Sequence, residues 1–315
     1  MVAKAPTDLM AVLGRNETVL MDGALGTELE RRQLPIEAAG WSALAVRDHG
    51  AVIRDIHQEY IEAGARLHIV NSFALARHVL EPIGLGTDFE ALNRRAVELF
   101  DEAIVCAGVD RSDYWAAGSL STFCANSDRS LLPQGEALIN NCRDQARVLA
   151  DAGVDLFALE MLFDCDVSLA MLQAVLPFKL PVILGFTCEW DEHNPQQLSI
   201  AQGMGRPVAS LEQVLKEIVA TVDPQNLILS IMHSEADATD AALEILHRYW
   251  SGPVAIYPNS GDFVDLHLQF DEVCSETEFE QAAQRWLQAG VQIVGGCCGI
   301  GPAHIRRLGG KLLHS

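Results

Sequence analysis

Val291-Gln292-Ile293-Val294-Gly295-Gly296-Cys297-Cys298-Gly299 is a short apolar run that breaks off into glycines and two adjacent cysteines. The amphipathic stretch Glu278–Ala289 precedes it, and Pro302, a good first-turn helix residue, follows. The same unit recurs back along the chain. Leu227–Met232 leads into His233, Val254–Tyr257 into Pro258-Asn259, and Val182–Phe186 into Thr187-Cys188-Glu189. Leu156–Leu159 leads into Glu160, Tyr114–Ala117 into Gly118-Ser119, His68–Val70 into Asn71-Ser72, and Thr18–Met21 into Asp22-Gly23. Between the runs lie helical stretches such as Val52–Glu62, Leu92–Cys106, Ala137–Ala152, Leu211–Val222 and Ala238–Trp250. Gly64, Gly108, Gly153 and Gly290 stand just past helical stretches, where a left-handed cap calls for glycine.

Strands alternating with helices give a parallel sheet, and eight such units close into a (β/α)8 barrel, an α/β fold. The alternative, a doubly wound open sheet, lacks a glycine-rich phosphate loop after the first run. The barrel also predicts that functional groups cluster at the C-terminal ends of strands. Every run here ends in polar residues, glycine or cysteine. We therefore expect one domain over residues 1–315, with the eight run ends on one face. The polar span Asp191–Arg206 after the fifth run reads as a lid or a disordered insertion.

The chain has 315 residues, about half of them apolar, which is ample for one large core. Its net charge of -21 repels phosphate backbones and argues against nucleic acid as a partner. No basic-apolar-small leader and no membrane-length apolar run is present, so a cytoplasmic location without membrane contact is expected. The eight cysteines are mostly single, which does not read as a disulfide framework. A monomer or a small homo-oligomer is expected.

Cys297 and Cys298 carry the most chemistry. Flanking glycines let the backbone turn and bring both sulfurs to one place. Two converging thiolates suit a borderline metal, zinc above all, whereas buried thiols or a vicinal disulfide are the plainer readings. Catalytic zinc keeps three protein ligands and one open position. His233 ends the sixth run, where a lone histidine taken by itself is more often a structural or supporting residue.

Six segments, in order, resemble the homocysteine S-methyltransferase family. They are Met21-Asp22-Gly23-Ala24-Leu25-Gly26-Thr27-Glu28-Leu29, Val70-Asn71-Ser72-Phe73, Gly118-Ser119-Leu120, Leu159-Glu160, Tyr257-Pro258-Asn259-Ser260-Gly261, and Gly295–Gly299 with Pro302-Ala303-His304-Ile305. The resemblance spans Val19 to Ile305. It implies a zinc ion (the cofactor) held by Cys297, Cys298 and a residue at the end of the sixth strand. The family has a cysteine there and this chain has His233. It further implies that Asp22 and Glu160 hold the amino-acid part of a small thiol substrate, with Gly23, Asn71, Ser72 and Asn259 in the substrate pocket.

The activity implied is methyl transfer from a sulfonium or quaternary ammonium donor to the thiolate of homocysteine, giving methionine. The alternatives are the same zinc-thiolate chemistry on another thiol, a betaine-type demethylase, or a metal-binding barrel without catalysis. Tyr257, Phe73, Phe123 and Trp190 are candidates for an aromatic rim that attracts a cationic donor. Ala24 for glycine, Met161 for threonine, and Ser121-Thr122-Phe123 for Gly-Pro-Tyr depart from the family pattern, all near the substrate pocket.

Overall fold

The computed structural model describes residues 6–34, 40, 42–125, 128–191, 194–200, 209–263, 270–271 and 273–312. Thirteen strands are described: β1 Val19–Leu20, β2 Leu67–Val70, β3 Trp115–Ser121, β4 Leu156–Leu162, β5 Val182–Phe186, β6 Cys188–Asp191, β7 Asn194–Ile200, β8 Ala209–Ser210, β9 Leu227–Met232, β10 Val254–Tyr257, β11 Asp262–Phe263, β12 Phe270–Asp271 and β13 Ile293–Val294. Eight of them pair in parallel in the order β1-β13-β10-β9-β5-β4-β3-β2. A parallel bridge between Met21 and Leu67 joins the two ends, so the sheet is a closed (β/α)8 barrel, as the run pattern predicts.

Strand parity decides what each side chain meets. Val19, Met21, Leu67, Trp115, Ala117, Leu156, Ala158, Ile183, Ile228, Met232, Ala255, Tyr257 and Ile293 form one buried cluster inside the barrel. Leu9, Val12 and Leu13 of the helix Leu9–Leu13 join that cluster and plug one end. Residues of opposite parity, such as Val70, Phe157, Leu159, Leu184 and Leu229, belong to a second cluster with the surrounding helices. Those helices are amphipathic because only their inner faces meet the sheet. Gly108 and Gly153 cap theirs at φ 68° and 101°, the left-handed conformation that glycine adopts without strain.

The span after β5 departs from the lid-or-disorder expectation over its described part. Cys188–Asp191 pairs antiparallel with Asn194–Ile200, which pairs with Ala209–Ser210. Leu198 and Ile200 are buried, and this explains why the hairpin is ordered despite its polar composition. Residues 201–208 lie outside the described residues. Among the described residues, no helix is long and apolar enough to cross a membrane.

Candidate active site

The C-terminal ends of the barrel strands surround a cavity of about 300 Å³. Its walls include Gly23, Asn71, Phe73, Phe123, Glu160, Tyr257, Asn259, His233, Cys297 and Cys298. Glu160 enters by parity, since it continues the inward series Leu156, Ala158. His233 does not. It follows inward-facing Met232 and should point outward, but its φ of 43° turns the chain and brings it to the cavity. Histidine is among the non-glycine residues that tolerate this left-handed region best. Met161 is turned in the same way, at φ 58° beside a register shift between β4 and β5.

The glycine-cysteine loop is tied on several sides. Gly296 N–H donates to the Asp22 carbonyl at 3.0 Å, Cys297 N–H to the Pro258 carbonyl at 2.7 Å, and Ser260 N–H to the Cys298 carbonyl at 2.9 Å. Gly299 sits at φ 81°, and a Cβ there would come within 2.1 Å of the Ser260 carbonyl oxygen. Gly299→Ala is therefore expected to destabilise the fold by about 3 kcal/mol or more, from left-handed strain plus overpacking against backbone. A thermal melt within a degree or two of wild type would refute this.

Cys297 Sγ lies 3.6 Å from His233 Nδ1 and 3.9 Å from Cys298 Sγ. Among the described residues the three form a group with all donor atoms within 4.8 Å of one another. A tetrahedral ion with bonds of about 2.3 Å to sulfur and about 2.05 Å to nitrogen sets edges of about 3.8 Å for S···S and about 3.6 Å for S···N. The observed separations match both. The electrostatics also ask for a cation. The neighbouring Cys298 thiol and burial push the Cys297 thiol well above its usual range. Burial opposes charge on His233, yet the adjacent Cys297, Glu235 and Glu160 carry its pKa upward on balance. All eight cysteines are free, so no disulfide competes for these sulfurs.

Glu160 faces the same space and is 5 % exposed. Burial raises its pKa to about 7, against the hydrogen bond from Ser119 and the nearby Tyr257 hydroxyl and His233. The Ser119 hydroxyl donates to Glu160 Oε2. Asn71 lines the cavity with its Oδ1 accepting from Ser42 Oγ at 2.6 Å. Asn259 Nδ2 donates to Glu235 at 2.8 Å, and its Oδ1 is buried without a partner among the described residues. Gly23 lines the wall where a Cβ would strike the Ile300 carbonyl at 2.4 Å, so no other residue fits.

Three expected residues stand apart from the cavity. Ser72 is fully buried and its hydroxyl donates to the Ser119 carbonyl at 2.9 Å, a bond within the barrel wall. Asp22 has outward parity after Met21. Its Oδ2 accepts from Ile69 N–H at 3.0 Å, and it lies beneath the cavity rather than along its wall. Trp190 sits on β6, part exposed, with its indole N–H donated to Asp237 at 2.9 Å, so it forms no part of the rim. Phe73 and Phe123 do line the cavity, with ring centroids 5.7 Å apart. Sequence reading missed Ser42, Ile69 and Met232 in the wall. Strand parity alone would have pointed to Ile69 and Met232.

In this barrel two cysteines and a histidine that could hold a metal ion converge on a cavity that also holds a buried carboxylate. Sequence comparison identifies the family. The model of the homocysteine S-methyltransferase family matches residues 19–312, and the chain belongs to that family of methyltransferases. It is 30% identical to the homocysteine S-methyltransferase of Escherichia coli (strain K12), over 95% of this chain and 97% of that one. It is 26% identical to the selenocysteine methyltransferase of Astragalus bisulcatus, over 95% and 93%. The metallated form of the homocysteine methyltransferase MmuM from Escherichia coli superposes with a TM-score of 0.75 at 26% identity, covering 96% of this chain and 99% of that chain.

Proposed function

We propose that the chain transfers a methyl group from a sulfonium or quaternary ammonium donor to the thiol of homocysteine, giving methionine, with zinc held by His233, Cys297 and Cys298. The observation that carries this reading is the spacing of those three donors on the wall of a cavity that Glu160 also lines. When bound there, zinc supplies the positive charge that keeps a thiol ionised at neutral pH.

The chain's own groups do the rest. Glu160 receives the substrate ammonium, and Ser119 fixes the carboxylate's rotamer through its hydroxyl. The wall of Phe73, Phe123 and Met161 excludes water and presents ring faces to a cationic donor. The sulfur then forms a bond to the methyl carbon as the donor's C–S or C–N bond breaks, and the donor leaves with that electron pair. Holding both partners in line is the main contribution of such a cavity to rate. The test is direct: zinc-loaded protein, homocysteine and a panel of sulfonium and quaternary ammonium donors, with methionine as the readout. No methionine from any donor would refute the reading.

The pH dependence follows from Glu160. A carboxyl with its pKa raised to about 7 is neutral below that pH and pairs with ammonium only above it. kcat/KM for the thiol should therefore climb between about pH 6 and 8. kcat should stay flatter, because bound ammonium draws the carboxyl back toward ionisation. Glu160→Gln should abolish the limb. A wild-type profile flat in this window would contradict the assignment.

A further inference from the structure

Behind the cavity, between the barrel and the helix Gly50–Glu62, two histidines share a buried layer. His57 and His68 are both 0% exposed. Neither ring nitrogen of His57, nor Nδ1 of His68, has a hydrogen-bond partner among the described residues. Asp22 completes the cluster, and the donor atoms of the three lie within 4.8 Å of one another. Parity puts them here. His68 points outward between inward Leu67 and Ile69, and Asp22 outward after Met21.

The tautomer of His68 is set by its other nitrogen. Nε2 lies 3.1 Å from the Ala65 carbonyl, which can only accept, so Nε2 carries the hydrogen and Nδ1 keeps its lone pair. That lone pair faces Asp22 Oδ2 at 3.7 Å. An ionised Asp22 would set two desolvated acceptors against each other, an arrangement that costs both groups their solvation without return. One proton on Asp22 turns the clash into a donor and an acceptor, and a small side-chain rotation closes the gap to hydrogen-bond range.

The surroundings favour that proton. Burial and the charge of Glu160 push the Asp22 carboxyl well above its usual range, while burial drives His68 down to about 3, so the imidazole stays neutral. The titratable groups that face the pair are Glu160 on β4, Tyr257 on β10, Tyr60 and His57 on the helix Gly50–Glu62, and Arg111.

We propose that His68 is a positioning residue of the methyl-transfer site: its Nδ1 accepts the proton of a neutral Asp22 carboxyl, which fixes Asp22 below the cavity and leaves Glu160 as the single anion facing the substrate. This rests on the reading that Glu160 takes the substrate ammonium. The lever is short. Asp22 accepts Ile69 N–H through its side chain and Gly296 N–H through its carbonyl, so it joins β1, β2 and the cysteine loop. Its N–H donates to the Leu67 carbonyl at 2.9 Å, one residue before His68. Charge on Glu160 opposes charge on Asp22, and the histidine decides which carboxyl keeps the proton.

The experiment compares zinc-loaded His68→Phe and His68→Gln with wild type, and adds 15N-histidine NMR on the wild-type chain. In His68→Phe the thiol KM should rise about tenfold or more, with kcat within about threefold and metal content unchanged. His68→Gln keeps a donor for the Ala65 carbonyl and an acceptor for Asp22, and should recover most of the loss. The NMR should show His68 protonated only at Nε2 from about pH 5 to 9, with Nδ1 accepting a hydrogen bond. That arm reads out even if the chain methylates no homocysteine, so failure of the proposed function and failure of this pairing are separable. Three results would overturn the pairing: equal thiol KM values in the Phe and Gln variants, an imidazolium at His68 near neutral pH, or two metal ions per wild-type chain with one lost in His68→Phe.

Discussion

If zinc is held as proposed, replacing His233 with alanine is expected to abolish metal binding and activity together. Apparent binding free energies for zinc held by four ligands run to about 10–16 kcal/mol, so one ligand is worth about 3–4 kcal/mol, two to three decades in affinity. After equilibration with a competing chelator, metal analysis should find wild type near one zinc per chain and His233→Ala nearly empty. Methionine formation should fall at least a hundredfold. His233→Cys should bind zinc again, because sulfur suits the same tetrahedron. It would change the charge, however. With zinc and a substrate thiolate bound, two thiolates and an imidazole would give the centre a net -1, whereas three thiolates would give -2. The histidine centre should hold the substrate sulfur more tightly and leave it less nucleophilic, so His233→Cys is expected to raise both KM and kcat for homocysteine. Full zinc occupancy with wild-type activity in both variants would remove His233 from the ligand set and redirect the search to Asn259, Cys188 or Glu189. Of these, Cys188 is buried and its thiol is held far above the usual range by burial and Glu189, which makes it a poor substitute.

The barrel was legible because each strand carries two signals at once, an apolar run and a polar or glycine-rich end, and both repeat eight times. The hairpin Cys188–Ile200 was not, because its ordering comes from Leu198 and Ile200 reaching a core that sequence periodicity cannot locate. The helix Cys165–Val175 was also absent from the amphipathic stretches. It is apolar on most of its surface, and such a segment has no face to detect. In the site, the residue types were legible and their directions were not. Parity places Glu160 in the cavity and Asp22 outside it, a distinction that a motif quoting both aspartate and glutamate does not make. His233 and Met161 reverse their parity through positive φ, which no spacing rule registers. Trp190 is aromatic and follows a strand end, yet the hairpin carries it outward to Asp237.

Glu160→Gln is expected to raise the thiol KM roughly a hundredfold while zinc content stays at the wild-type level. The carboxylate lies 5 % exposed, and in the proposed complex it would face a substrate ammonium that has left its own water behind. Removing one partner of a buried ion pair costs about 3–5 kcal/mol, because the other charge stays desolvated and unpaired. Glutamine recovers part of this through its amide oxygen, which leaves about 3 kcal/mol, or two decades. The hydroxyl of Ser119 now donates to the carboxylate and can donate to the amide oxygen as well, so the rotamer should hold and kcat should fall far less than KM rises. The contrast with His233→Ala is the point of the measurement. One variant should lose metal and turnover together, and the other should lose only its grip on the amino-acid end of the thiol. A thiol acceptor without an ammonium group gives the matching control: its KM should be high in wild type and nearly unchanged by Glu160→Gln. If that acceptor is instead as sensitive to the substitution as homocysteine, or if zinc is lost from the variant, Glu160 supports the metal and not the substrate.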